Sequence, residues 1–197
     1  MSTETVSTNE KIMKATYKLL QTEGAEKTTT KKIAAEAGVN EVTIFRNFEN
    51  KQKLIEATKE FYINSLIEKL NEYFEYDEEE SVEDYLDKIY LTFAELPDED
   101  FGIIRIAMVE IKETSEKKLL ILRIINAEID KLAEFFEIKM EKGEIRDDVN
   151  PRYMAINTLG ALFQTVVLSR LYDSPDSLKR QEYSKFFFDI FFNGVKP

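Results

Sequence analysis

The 197-residue chain holds no cysteine and no histidine, only 6 glycines and 4 prolines, and carries a formal charge of -11. The missing Cys and His exclude disulfides, thiolate and imidazole catalysis, and the common zinc ligand sets. No spacing of carboxylates, Lys or Ser singles out another catalytic centre, so the expectation is a protein that is not an enzyme and needs no metal or cofactor.

Scarce Gly and Pro mean few turns and long elements, and no β-type alternation stands out, so the fold class is all-α with about nine helices. The opening MSTETVSTNEKIMKA lacks an apolar signal core, and no uninterrupted run of about 18 apolar residues follows. These two features predict a soluble, cytoplasmic protein. Charge is unevenly placed. Residues 1–55 hold 9 Lys+Arg against 7 Asp+Glu, leaving 18 against 31 of the chain's 27 and 38 in the remainder. A mildly basic N-terminal segment on an acidic body points to nucleic-acid contact at one end.

In chain order, the first helix is predicted over about 8–23, with Thr8 as its cap, no capping box, and Ile12, Ala15, Leu19 and Leu20 as its buried stripe. Gly24 fits the left-handed residue after its last turn. Thr29 or Thr30 caps a second short helix whose stripe is Ile33, Ala34 and Ala37. Gly38 ends it, Val39 plugs the turn, and Asn40 caps a third helix over about 41–47. The fourth helix runs from Lys51 to about Phe74, with Leu54, Ile55, Phe61, Tyr62, Leu66, Ile67 and Leu70 at apolar positions.

The acidic run EYDEEES reads as a solvated loop. Ser81 opens a fifth helix reaching about Leu96, and the sixth covers about 98–113. Thr114 or Ser115 caps a seventh helix that reaches Lys142. The eighth covers about 151–172, with Pro151 in the tolerated first turn, and Ser174-Pro175-Asp176 breaks the pattern. The ninth covers about 177–192 and ends at Gly194.

Two short helices around a tight glycine turn make a helix-turn-helix, whose second helix lies in the major groove with its N-terminal residues on base edges. Here that helix offers Glu41, Val42, Thr43, Phe45, Arg46 and Asn47. Thr43 can bond a base or phosphate, Val42 can touch a thymine methyl, Asn47 can bond adenine or phosphate, and Phe45 can lie on the sugar-phosphate backbone. Ile44 and Phe48 belong to the small core. Lys51, at the start of the fourth helix, combines a cation with free N–H groups as a phosphate clamp, and Thr30 and Lys31 do the same from the second helix. On spacing alone, a plain helical bundle with charged faces explains 30–54 equally well, and Glu41 would repel phosphate unless it accepts from a cytosine amine.

The stretches IMKATYKLLQTEGAEKTT and KKIAAEAGVNEVTIFRNFENKQKLI, residues 8–55 in all, resemble the N-terminal domain of the TetR family of transcription regulators. The shared pattern places Ile33-Ala34, Ala37-Gly38-Val39, Thr43, Phe45, Phe48, Lys51 and Leu54 in fixed register. Phe45 stands where Tyr is usual, losing a hydroxyl to phosphate, and Val42 replaces a small residue or Pro. The resemblance implies a DNA-binding domain over 1–50 and a ligand-binding and dimerisation domain over 51–197.

It further implies a homodimer on a near-palindromic double-stranded operator, acting as a repressor that a small, lipophilic molecule releases. The bottom-up alternative is an all-helical protein-interaction module without DNA binding. Phe61, Tyr62, Leu66, Tyr85, Ile89, Phe93, Met108, Phe135 and Phe163 are candidates to line the ligand cavity, against plain core packing. The eighth and ninth helices, apolar over much of their surface, give Leu159, Phe163, Val167, Phe187, Ile190 and Phe191 as candidates for the dimer interface.

Overall fold

The computed structural model describes residues 7–109, 120–171, and 186, 187, 189–191, 193 and 194. Among them all regular structure is helical: α1 (Thr8–Lys27), α2 (Thr30–Ala37), α3 (Glu41–Phe48), α4 (Lys51–Tyr73), α5 (Val82–Ala94), α6 (Asp98–Val109), α7 (Leu120–Glu141) and α8 (Pro151–Leu162). A π turn (Phe163–Val167) and a closing α turn (Leu168–Leu171) continue α8. Residues 186, 187, 189–191, 193 and 194 are helical too, so Gly194 does not end the last helix as its sequence position suggests. The cap of the seventh helix, the Ser174-Pro175-Asp176 break and the start of the ninth helix lie outside the described residues.

The chain forms two compact units. Unit 1 comprises Met1–Leu66 and Gly102–Ser115; unit 2 comprises Ile67–Phe101 and Glu116–Pro197. In unit 1, Ile12, Ala15 and Leu19 of α1 meet Ile33 and Ala34 of α2, Ile44 of α3 and Leu54 of α4. Met13, Ala37, Val39 and Phe48 close over this core. These are the residues whose helical spacing marked them, and small Ala15, Ala34 and Ala37 let the short helices approach closely.

Two details at α1 correct the sequence reading. The cap is Ser7, not Thr8: its hydroxyl accepts from Glu10 N at 3.2 Å while its own N–H donates to Glu10 Oε2 at 2.8 Å, a complete capping box. Gly24 does not terminate α1 but kinks it, at φ 78° and ψ 168°, and the helix resumes to Lys27. Thr28 fastens the kink, its N–H and hydroxyl both donating to Gly24 O, at 3.2 and 2.8 Å.

Unit 2 buries an aromatic core. Tyr85 of α5 and Phe135 of α7 are fully buried with ring centroids 4.1 Å apart, and Tyr76 meets both edge-on. Tyr85 satisfies its phenol by donating to Phe74 O at 2.8 Å. Beside this core the acidic run is not the free, solvated loop its composition suggests. Lys88 donates to Glu75 O and Glu80, Lys131 pairs with Glu75, and both Lys139 and Lys142 donate to Glu78 O at 2.8 Å.

Lys139 is itself fully buried, its ammonium also meeting Glu144 at 3.0 Å and the Phe135 ring. A buried ammonium is tolerable only with such a full set of acceptors. The α5–α6 corner is fastened similarly: Arg170 donates to Leu96 O at 2.7 Å, pairs with Asp98, and stacks over the Phe101 ring at 4.2 Å.

The continuous helix 151–171 is, among the described residues, the one long and apolar enough to cross a membrane by length and composition. Its inward face is seated in unit 2, with Met154, Ala155, Thr158, Leu159, Leu162, Val166 and Val167 buried. That pattern is the one-sided burial of a core helix.

Candidate nucleic-acid interface

The turn between α2 and α3 is fixed residue by residue. Thr29, the first of the two candidate caps, accepts Lys32 N through its hydroxyl at 3.3 Å. Gly38 closes α2 in the left-handed region at φ 67°, with its N–H on Ala35 O and Val39 N on Ala34 O. Asn40 then caps α3, its Oδ1 accepting from Val42 N at 2.9 Å. With Ile44 at 0% exposure as its keel, α3 presents the opposite side outward: Val42 is 72% exposed and Phe45 46%. Arg46 and Asn47 are exposed beside them, and Thr43 is half-buried at the edge.

Such an outward apolar pair bordered by a cation is the arrangement that meets thymine methyls, sugars and phosphates in a groove. Lys31 is exposed on α2, again as its sequence position suggests.

Four of the expected contact residues have intramolecular partners. The Thr30 hydroxyl donates to Glu41 Oε1, so these two hold α2 to α3 and tie down the carboxylate that would face phosphate. Asn47 Nδ2 donates to Asn9 Oδ1 at 2.7 Å, bracing α3 on the start of α1. Lys51 Nζ donates to Ala25 O at 2.9 Å, satisfying a carbonyl released by the Gly24 kink.

The α3–α4 connection was not legible in the sequence. Glu49 takes φ 63° and ψ −52°, and Asn50 N donates back to Phe48 O at 2.7 Å. This is a γ-turn of the rare, strained sign on a non-glycine residue. Asn50 is the N-cap of α4: its Oδ1 accepts Lys53 N at 2.9 Å, and Leu54 N donates to Asn50 O.

The candidate cavity residues fall in both units. In unit 1, Tyr62 stacks on Tyr17, Phe61 is 45% exposed with its edge to Tyr62, Leu66 is fully buried and Met108 half-buried. In unit 2, Tyr85, Ile89, Phe93 and Phe135 are buried in the aromatic core, while Phe163 is half-buried at the π turn. Burial pushes the Tyr85 phenol above its ordinary pKa, and burial aided by the Glu134 carboxylate pushes Tyr76 up to about 12. Both therefore stay neutral hydrogen-bonding groups.

Of the candidate interface residues, Leu159 and Val167 are buried inside unit 2 at 8% and 2% exposure. The helical period turns them inward and turns Tyr153 and Ile156 outward, 66% and 44% exposed. Phe163, Phe187 and Phe191 are half-buried, and Ile190 is 57% exposed.

Residues 12–58 match the family described as "Bacterial regulatory proteins, tetR family". A stretch of 50 residues is 56% identical to "Uncharacterized HTH-type transcriptional regulator YvkB" of Bacillus subtilis (strain 168), covering 25% of this chain and 26% of that protein. Over 87 residues the chain is 36% identical to "Nucleoid occlusion factor SlmA" of Vibrio cholerae serotype O1, covering 44% of this chain and 42% of the relative. The chain thus spans less than half the length of these curated relatives.

Among solved structures, Salmonella enterica GusR superposes with a TM-score of 0.69 at 21% identity, covering 96% of this chain and 93% of that one. AibR, solved in complex with isovaleryl coenzyme A and operator DNA, superposes with a TM-score of 0.60 at 20% identity, covering 86% and 89%. The reading-head match and the shared fold together place this chain in the TetR family of transcriptional regulators.

Proposed function

We propose that the chain binds double-stranded DNA through α3 as a homodimer, and that a small lipophilic molecule taken up by the C-terminal domain releases it from a near-palindromic operator, making it a repressor. The observation carrying this reading is the outward face of α3, with Val42 and Phe45 exposed over a keel of fully buried Ile44. An isolated domain has little reason to expose two large apolar side chains on one eight-residue helix unless they meet a partner.

Lys31 and Arg46 supply cations on the same domain, and DNA affinity follows such local charge rather than the chain's -11. The acidic remainder, largely beyond a Debye length of about 8 Å from the contacts, is screened at physiological salt. AibR, of the same fold, binds operator DNA together with an acyl coenzyme A.

Dimerisation is supported by the outer face of α8. Tyr153 and Ile156 are exposed there, and a Cβ added at Gly160 would meet nothing within 4 Å, leaving room for a second helix to approach. One α3 makes too few contacts for specificity, whereas two at fixed spacing multiply them.

Selection of genomic fragments by the purified protein at two salt concentrations, with its own upstream region included, tests the reading. The expected result is a near-palindrome bound by two chains, with affinity falling steeply as salt rises. Sequence-blind binding or none overturns it in favour of an interaction module.

A further inference from the structure

Glu128, near the middle of α7, is 5% exposed, and its Oε1 has no hydrogen-bond partner. It stands among Ile124, Ile129 and Leu132, all buried on the same helix. The cation nearest along the α7–α8 pair, Arg152, goes to exposed Asp130 instead. A carboxyl group so placed gains nothing for the fold, since a buried acid without a counter-charge is costly and an apolar residue of similar size would pack better. Unit 2 elsewhere completes its buried polar groups: Lys139 has Glu78 O and Glu144, Asp100 has Lys69 at 2.7 Å, and Tyr85 has Phe74 O. Glu128 is the exception, and a buried group left wanting a partner in an otherwise satisfied core marks a site that a ligand completes.

We propose that Glu128 is the anchor of a ligand site in unit 2, and that its ligand is a lipophilic organic cation. Burial holds the acid protonated in the absence of such a partner, and an entering positive charge draws the proton off and pairs with the carboxylate. The apolar residues flanking Glu128 suit the hydrocarbon or aromatic body of the ligand. The chain's charge of -11 raises the local concentration of cations and lowers that of anions. This deepens the effector part of the proposed function and rests on it only for the consequence at the operator, not for the binding itself.

The test is calorimetric titration of the full chain with tetraphenylphosphonium and, separately, with tetraphenylborate, which match in size and shape and differ in sign. Binding of the cation and not the anion is expected, with Glu128→Gln weakening it by about tenfold or more. Glu128→Leu, which suits the apolar surroundings, is expected to fold at least as well and to lose the cation equally. Equal binding of both ions, no binding of the cation, or unchanged affinity in both variants overturns the proposal. Operator binding without ligand is measured on the same variants and is expected to be unchanged. Its absence from wild-type protein would remove the regulatory reading while leaving the cation site standing.

Discussion

Tyr17 of α1 and Tyr62 of α4 stack face to face, ring centroids 3.9 Å apart and planes 18° from parallel. The Tyr17 hydroxyl accepts from Gln21 Nε2 at 2.8 Å, and Gln21 in turn lies against the backbone of α6 at Gly102. A Cβ at position 102 would fall 1.8 Å from Gln21 Nε2. Gly102→Ala should therefore displace the Gln21 amide, break its bond to Tyr17 and cost about 1 kcal/mol. Combining it with Gln21→Ala should recover most of the loss, which a double-mutant cycle of denaturant melts would measure. Additive losses would mean that the substitution acts elsewhere.

On DNA, Arg46→Ala and Thr43→Ala should each cost about 1–3 kcal/mol and relax preference at particular base pairs. Lys51→Ala should weaken all sequences alike and lower the slope of log affinity against log salt by about 1. Because Lys51 also bonds Ala25 O, the same change should lower thermal stability, which the other two should leave nearly untouched. Gel shifts at several salt concentrations beside thermal melts separate the two effects.

The two sides of α8 should respond differently. Ile156→Asp, on the outer face, should leave each chain folded but drive the sedimentation profile toward monomer and reduce operator affinity. Leu159→Ala, on the inner face, should cost about 2–5 kcal/mol of folding stability by opening a cavity. If Ile156→Asp left the dimer intact, the interface would have to lie off this face.

The pH profile of stability should expose Glu128. Burial raises its pKa well above the ordinary 4.5, so between these values the folded chain holds a proton that the unfolded chain releases. Stability contributed by the protonated form is then present below pH 4.5 and declines as pH rises toward the folded value. Glu128→Gln, which cannot ionise, should escape that decline, so its advantage over wild type should widen with rising pH. Chemical denaturation across acidic to neutral pH measures it; a constant difference would mean that the acid is not ionising on unfolding.

The reading head was the most legible part of the sequence. Ile12, Ala15, Leu19, Ile33, Ala34, Ile44 and Leu54 show their role by helical period alone, and Gly38 and Asn40 mark the turn by backbone chemistry. What escaped depends on partners distant in sequence or on the ends of helices. Nothing in spacing pairs Asn47 with Asn9, or Lys51 with Ala25 O. The acidic run looked solvated because its lysine partners, Lys131, Lys139 and Lys142, stand over fifty residues away.

On α8, an apolar helix gives no phase by inspection, so Leu159 and Val167 looked as suited to an interface as Ile156. Glu128 reads in the sequence as one acid among 38 Asp and Glu residues, and only its burial distinguishes it.

The connection from α3 to α4 holds just Glu49 and Asn50, one bent into a strained γ-turn and the other spent on capping α4. A joint that short and that fully hydrogen-bonded has no slack. Any tilt of the first turns of α4 must appear at α3 as a change in where Val42 and Phe45 stand, with no loop to absorb it. Lengthening the joint by a single flexible residue would leave the reading head folded and fit for DNA, yet deaf to whatever moves α4.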